Sequence, residues 1–349
     1  MRDPSHAAQS DSPSPPAGER GPGGEGSPLA RPPLALSTMW AMQPRFQHDL
    51  RAFLERTAEL GYDAVEINHS MDAQMAGAIL AARDVLPVAS VHAPAPLERH
   101  ATAGWNRELN LAATDEAERT LAVDYVRRTI ALAAEAGASR VVVHLGHIAR
   151  APSSPVQPYD GERRVRAAWP RRDDDPAAWR DAIATAQRDR TAAAAPHLEA
   201  ATRTLAALAF EAETRGITLG LETRLHYHEL PLPHEAAALL VPYPAHVAGY
   251  WHDVGHAEVQ HRLGLTSRDA WFDTLGARLV GVHLHDVAAL TDHRAPGNAV
   301  PSGQPGGVDF AWLAARIPPH VPRTLEIDQH EPDAAVAAAI GVLRAAGLA

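Results

Sequence analysis

Residues 218–224 read T-L-G-L-E-T-R, a short apolar run that ends abruptly in a carboxylate and a guanidinium. An Ala-rich helical pattern stops just before it, at Arg215 and Gly216, which is where a helix feeding a strand should break. The same grammar recurs along the chain. Short apolar runs fall at 34–39, 64–68, 88–92, 140–145, 218–223, 246–252, 279–284 and 324–328, with longer helical patterns between them. Between the first two, Phe46, Leu50, Phe53, Leu54 and Leu60 recur at helical spacing, and Gly61 ends the pattern. Another helix is expected over 115–136, ahead of Gly137, and a last one over 333–346. Eight strand–helix units over about 315 residues predict an α/β fold of the (β/α)8 barrel type, a single domain over 34–349. An open doubly wound sheet would need a phosphate or dinucleotide loop. The only match to G-x-G-x-x-G, at Gly21, Gly23 and Gly26, has no strand before it and no helix after it.

Two segments stand outside this pattern. Residues 1–33 hold eight Pro, five Gly and five Ser without hydrophobic periodicity, the composition of a disordered tail. Residues 149–178 are rich in Pro, Arg and Asp and are expected as an insertion on the loop side of the barrel, with a lid or a contact in a homo-oligomer as the functional alternatives. The Ala-rich stretch from about 176 to 215 reads as one helix much longer than the rest.

Composition limits the chemistry. The 349 residues are 46% hydrophobic, enough for one large core. There is no cysteine and no lysine, so all 32 basic residues are arginines. Thiolate nucleophiles, cysteine zinc sites, Schiff bases and the Walker-A loop are therefore excluded. Twenty histidines remain, beside 42 acidic residues and a net charge of −10 that disfavours nucleic-acid partners. No apolar stretch reaches the roughly 18–20 residues of a membrane span, and the N-terminus lacks a signal-peptide core, so a cytoplasmic location is expected.

In a barrel of this type the reacting groups sit where the strands end. Glu66 lies in the second run, and the third and fourth end in His92 and His144. The fifth gives Glu222 and Arg224, the sixth Asp253 and His256, the seventh His283, His285 and Asp286, and the eighth Glu326. Carboxylates gathered at one mouth repel one another and lose solvation, so a cation is expected among them. The best ligand set is Glu222, Asp253, His283 and Glu326. Three carboxylates and one imidazole suit Mn²⁺, Mg²⁺ or Co²⁺, with Zn²⁺ as a further option. His256, three residues past Asp253, faces the same mouth if a helix begins there, and would bind substrate or a second metal. His293 follows the seventh strand within reach of the metal, and Arg224 and Arg294 are candidate anion clamps. His226 and His228 should overhang the mouth. His234, His246, His261, His320 and His330 fit no strand-end pattern and are expected in solvent.

The endings G-Y-D-A-V-E-I, S-V-H-A-P, L-E-T-R, H-D-V-G-H, H-L-H-D, D-H-R-A-P-G and T-L-E-I together resemble the xylose isomerase-like TIM barrels, over roughly residues 34–347. That superfamily includes sugar phosphate isomerases and epimerases, inosose dehydratase-like lyases and the endonuclease IV type of apurinic endonuclease. The resemblance implies a small polyhydroxylated carbonyl substrate, and one divalent metal on Glu222, Asp253, His283 and Glu326. It makes Glu222 and Glu326 the catalytic acid and base on opposite faces of an enediolate. His256 and Glu66 would then lie near the substrate, and His92, Arg224 and His293 are further candidate substrate-binding residues. The endonuclease branch implies a multinuclear zinc site with His92, His144, His256 and His293 as added ligands, but the Asp expected two residues before His293 is Thr291 here, with Asp292 adjacent. Xylose isomerase itself relies on a lysine that this chain lacks.

Overall fold

The computed structural model describes residues 33–149, 159–297 and 307–349. The expected tail, 1–33, lies outside the described residues apart from Pro33, and so does part of the expected insertion. Eight parallel strands close into a barrel: β1 (Leu34–Ser37), β2 (Ala64–Ile67), β3 (Val88–His92), β4 (Arg140–Val143), β5 (Thr218–Glu222), β6 (Ala248–Asp253), β7 (Leu279–Leu284) and β8 (Arg323–Leu325). β1 pairs with both β2 and β8, which removes every free edge. The (β/α)8 expectation holds strand for strand. The expected runs 88–92 and 279–284 coincide with β3 and β7, and the other six differ from their strands by one to three residues at an end, in part because residues such as His144 and Glu326 leave the ladder at the mouth.

Helices pack around this barrel, among them α1 (Leu50–Glu59), α2 (Ala73–Ala81) and α3 (Glu116–Ala136). Their ends are encoded locally. The Asp49, Asp72 and Asp115 side chains accept backbone N–H groups of the first turns, and Gly137 closes α3 at φ 75°. Residues 160–168 of the expected insertion are helical, forming α4 (Asp160–Ala168). The long helix α5 (Pro176–Thr214) runs for 39 residues, from an Asp175 cap with Pro at its first position. Among the described residues no helix is long and apolar enough to cross a membrane.

The floor beneath the mouth is filled by Trp251 of β6, 1% exposed. It fits because its neighbours on either side have no side chain. A Cβ added at Gly220 would come within 2.8 Å of the indole, and one at Gly281 within 2.0 Å. The strand residues one step higher on these three strands, Glu222, Asp253 and His283, therefore stand on a rigid apolar platform, with the His283 ring 5.1 Å from the Trp251 ring.

Candidate metal centre

Four ligand atoms from Glu222, Asp253, His283 and Glu326 lie within 4.8 Å of one another, and all four residues are buried. β5, β6 and β7 carry the first three, and Glu326 follows β8 directly. The ring of His283 is the hub. Its Nδ1 lies 2.8 Å from Glu222 Oε1, 3.0 Å from Glu326 Oε2 and 3.5 Å from Asp253 Oδ2. A single ring N–H satisfies one of these oxygens, and Asp253 Oδ2 is buried without a hydrogen-bond partner. Burial opposes a charged His283, yet Glu326 and Glu66 hold its pKa well above the ordinary value. Burial likewise opposes ionisation of Glu222 and Asp253. The imidazoles of His144 and His283 nevertheless hold Glu222 well below the usual carboxylate range, and those of His256 and His285 do the same for Asp253. A cluster that demands positive charge at one point, with oxygen and imidazole donors and no thiolate, fits a divalent cation.

Behind this group lies Glu66, which the sequence places near the substrate. It is fully buried, and Oε1 meets His283 Nε2 at 3.0 Å while Oε2 accepts Ser90 Oγ at 2.6 Å. It stands on the side of the imidazole away from Nδ1, so the expectation of substrate contact gives way to one of ring orientation. Asn68, which the sequence reading passed over, donates to Glu326 Oε1 at 3.0 Å.

Two further clusters flank the central one. His92 and His144 converge on Glu222 Oε2, at 3.4 and 2.5 Å. Burial and the nearby Arg224 guanidinium push His144 down to about 3, against the pull of Glu222. On the other side, His256, Asp292 and His293 form a group of their own. Asp253 caps α6 (Val254–Arg262) by accepting His256 N–H at 2.7 Å, which turns His256 toward the mouth as the spacing predicts. His293 sits at φ 54° in the hairpin Asp286–Ala288 and Thr291–Arg294, and Asp292 lies 3.5 Å from His256 Nε2. The acid one residue before His293 thus reaches the histidines despite the shifted spacing.

Arg224 is not a free clamp. Its fork is held by Glu222 at 2.9 Å and Glu229 at 2.8 Å. Arg294 pairs with Glu331 at 2.9 Å. Glu229 carries no motif signal, although it lies only five residues beyond Arg224 and its other oxygen accepts the His226 N–H. His69 could have been noticed: it follows E-I-N at the end of the second run, and its ring lies 4.8 Å from His92. His226 borders the cleft, and His228 follows it in a loop clamped from outside. Glu162 of α4 accepts the Tyr227 N–H at 2.6 Å and meets His226 at 3.1 Å. Arg190 of α5 donates to the carbonyls of Tyr227 and Glu229 and pairs with Glu235 at 2.6 and 2.8 Å. His234, His246, His261, His320 and His330 are all exposed, as expected.

The chain is similar in fold to several solved structures. A D-psicose 3-epimerase from Clostridium cellulolyticum H10 gives a TM-score of 0.61 at 12% identity, covering 91% of this chain and all of the other. A D-allulose 3-epimerase from Methylomonas sp. gives 0.59 at 16% identity, covering 90% and 98%. A 3-keto-D-glucoside 4-epimerase from E. coli gives 0.57 at 17% identity, covering 90% and 100%. No curated protein matches the chain by sequence. The family described as xylose isomerase-like TIM barrel matches residues 54–346, more than four-fifths of the sequence. With its closed eight-stranded barrel and this family match, the chain belongs to the xylose isomerase-like TIM barrel family.

Proposed function

We propose that the protein is a divalent-metal-dependent isomerase or epimerase of a small polyhydroxylated carbonyl compound, a sugar or close relative. One observation carries this reading: three carboxylates from three elements converge on a single buried imidazole nitrogen. Glu222, Asp253, His283 and Glu326 would hold the cation, with Mn²⁺, Mg²⁺ or Co²⁺ best matched to their donors. When bound, it supplies electrostatic stabilisation of the negative charge that develops on the carbonyl and hydroxyl oxygens. The residues of the chain move the proton. Glu222 and Glu326 stand on either side of His283, so one takes a proton from the hydroxylated carbon and the other returns one from the opposite face. Beyond the His283 ring that they share, Glu326 accepts an amide N–H from Asn68, whereas Glu222 touches two further imidazoles and a guanidinium. Glu66 fixes the His283 ring with Nδ1 toward the cluster. The sugar epimerases of the same fold support this substrate class, and a cytoplasmic location suits such chemistry.

A second reading has its own observation. The clusters His92–His144–Glu222 and His256–Asp292–His293 border the central group on both sides, a layout suited to a multinuclear zinc site and to an endonuclease-like hydrolysis. Metal analysis and a substrate screen separate the two. About one exchangeable Mn²⁺, Mg²⁺ or Co²⁺ per chain, with turnover of ketoses or inososes, is expected. Near three zinc ions with cleavage of an abasic-site duplex would overturn the sugar reading. Glu222→Gln and Glu326→Gln should each lower turnover on the order of 10³-fold with the fold intact; full activity in either would remove the proton-transfer assignment.

A further inference from the structure

The two oxygens of Asp253 have different surroundings. Oδ1 accepts the His256 N–H at 2.7 Å and lies 2.9 Å from His285 Nε2, whereas Oδ2 is buried without a hydrogen-bond partner, 3.5 Å from His283 Nδ1. The far side of the His285 ring decides which of its nitrogens carries the hydrogen. The His293 backbone N–H approaches Nδ1 at 2.7 Å, and a backbone N–H can only donate. Nδ1 is therefore the acceptor, and Nε2 donates its hydrogen to Asp253 Oδ1.

The ring has no room to turn away. It is fully buried, it stacks on the His293 ring at 4.4 Å with 13° between the planes, and a Cβ added at Gly255 would come within 2.2 Å of it. His293, whose backbone it holds, borders the cleft. We propose that His285 is a positioning residue: by donating to Oδ1 it leaves Asp253 Oδ2 turned toward the ligand group, and by accepting the His293 N–H it ties the hairpin that carries Asp292 and His293 to the same carboxylate. This rests on the metal reading above and extends it, since a single ring then sets both the ligand group and the seat of the cluster beside it.

Two substitutions split the two roles of the ring. In His285→Gln the side-chain amide reaches the position of Nε2 and keeps a donor for Asp253, whereas in His285→Asn the shorter side chain sets its oxygen at the position of Nδ1 and keeps an acceptor for His293. Calorimetric titration of the full chain with Mn²⁺ reads the first role, and hydrogen exchange over residues 291–294 reads the second. His285→Ala should lose about 10–100-fold in Mn²⁺ affinity and release the His293 N–H to exchange. His285→Gln should regain most of the affinity but not the protection, and His285→Asn the protection but not the affinity. Should His285→Ala fail to fold, the other two variants decide. Equal Mn²⁺ affinity in those two, or an unchanged affinity in His285→Ala, would overturn the positioning role while leaving the metal reading standing. An unaltered chain that binds none of Mn²⁺, Mg²⁺ and Co²⁺ would overturn both.

Discussion

The mouth of the barrel has two halves that are held in place by different means. Glu222, Asp253 and His283 project from strand ends, and Glu326 follows one directly, so barrel register fixes all four. His226, His228 and Glu229 belong to a loop, and side chains from outside the barrel hold it. Glu162 takes one backbone N–H, and Arg190 caps two backbone carbonyls while pairing with Glu235. The first half is positioned by topology and a packed floor, the second by a few buried charges. A strand-end residue thus has many cooperating backbone bonds behind it, whereas the loop half depends on single side chains whose loss nothing replaces.

Removing Arg190 is the strongest test of that contrast. Both side chains of the Arg190–Glu235 pair are about 95% buried, so Arg190→Met leaves Glu235 charged and unpaired and frees two carbonyls. A loss of about 3–5 kcal/mol is expected in denaturant unfolding. Turnover should fall further than metal affinity, because Glu229, and through it Arg224, loses its anchor while the strand-end ligands keep theirs. Equal losses of metal affinity and turnover would show that the two halves are mechanically one.

On the strand-end side the weakest member is the one behind the ligands. Glu66→Ala removes the partner of His283 Nε2 and frees the ring to choose its tautomer. Metal affinity measured by calorimetry should fall about 10–100-fold, with Glu66→Gln recovering part of it because an amide oxygen still accepts the ring N–H. A change confined to sugar affinity would restore the substrate contact that the sequence placed at Glu66.

The same division explains what could be read from the sequence. Eight apolar runs predicted the barrel, and the polar endings of seven of them pointed to the group of Glu222, Asp253, His283 and Glu326, because a strand converts sequence position directly into position at the mouth. Glu66 meets the far side of the His283 ring, because period two puts it inside the barrel without saying whether it faces the cleft or the back of a ligand. Asp292 was left beside its expected position, since the hairpin that carries it turns through a residue at φ 54°, which no spacing rule anticipates. Glu162 and Arg190 gave no signal at all. Their contacts join residues 37 to 65 positions apart, and the rule that links them is a buried charge finding its partner.

A smaller effect should be visible in the pH dependence of stability. His228, in the clamped loop, is half-buried among His147, His226 and Tyr159, and its Nδ1 has no hydrogen-bond partner. Burial, reinforced by His147 and His226, lowers its pKa to about 4. In the unfolded chain it titrates near 6.5. Between those two values the unfolded chain binds a proton that the folded one refuses, so stability falls as pH drops from about 6.5 to about 4 and is unaffected by this group above that window. His228→Gln should flatten the slope of unfolding free energy against pH within the window, recovering up to about 3 kcal/mol at its acid end, and leave the neutral value nearly unchanged. Because the loop half is held by isolated contacts, that acid sensitivity should appear as local opening around residues 225–229 in hydrogen exchange before the strands exchange. Simultaneous exchange of loop and strands would erase the distinction between the two halves.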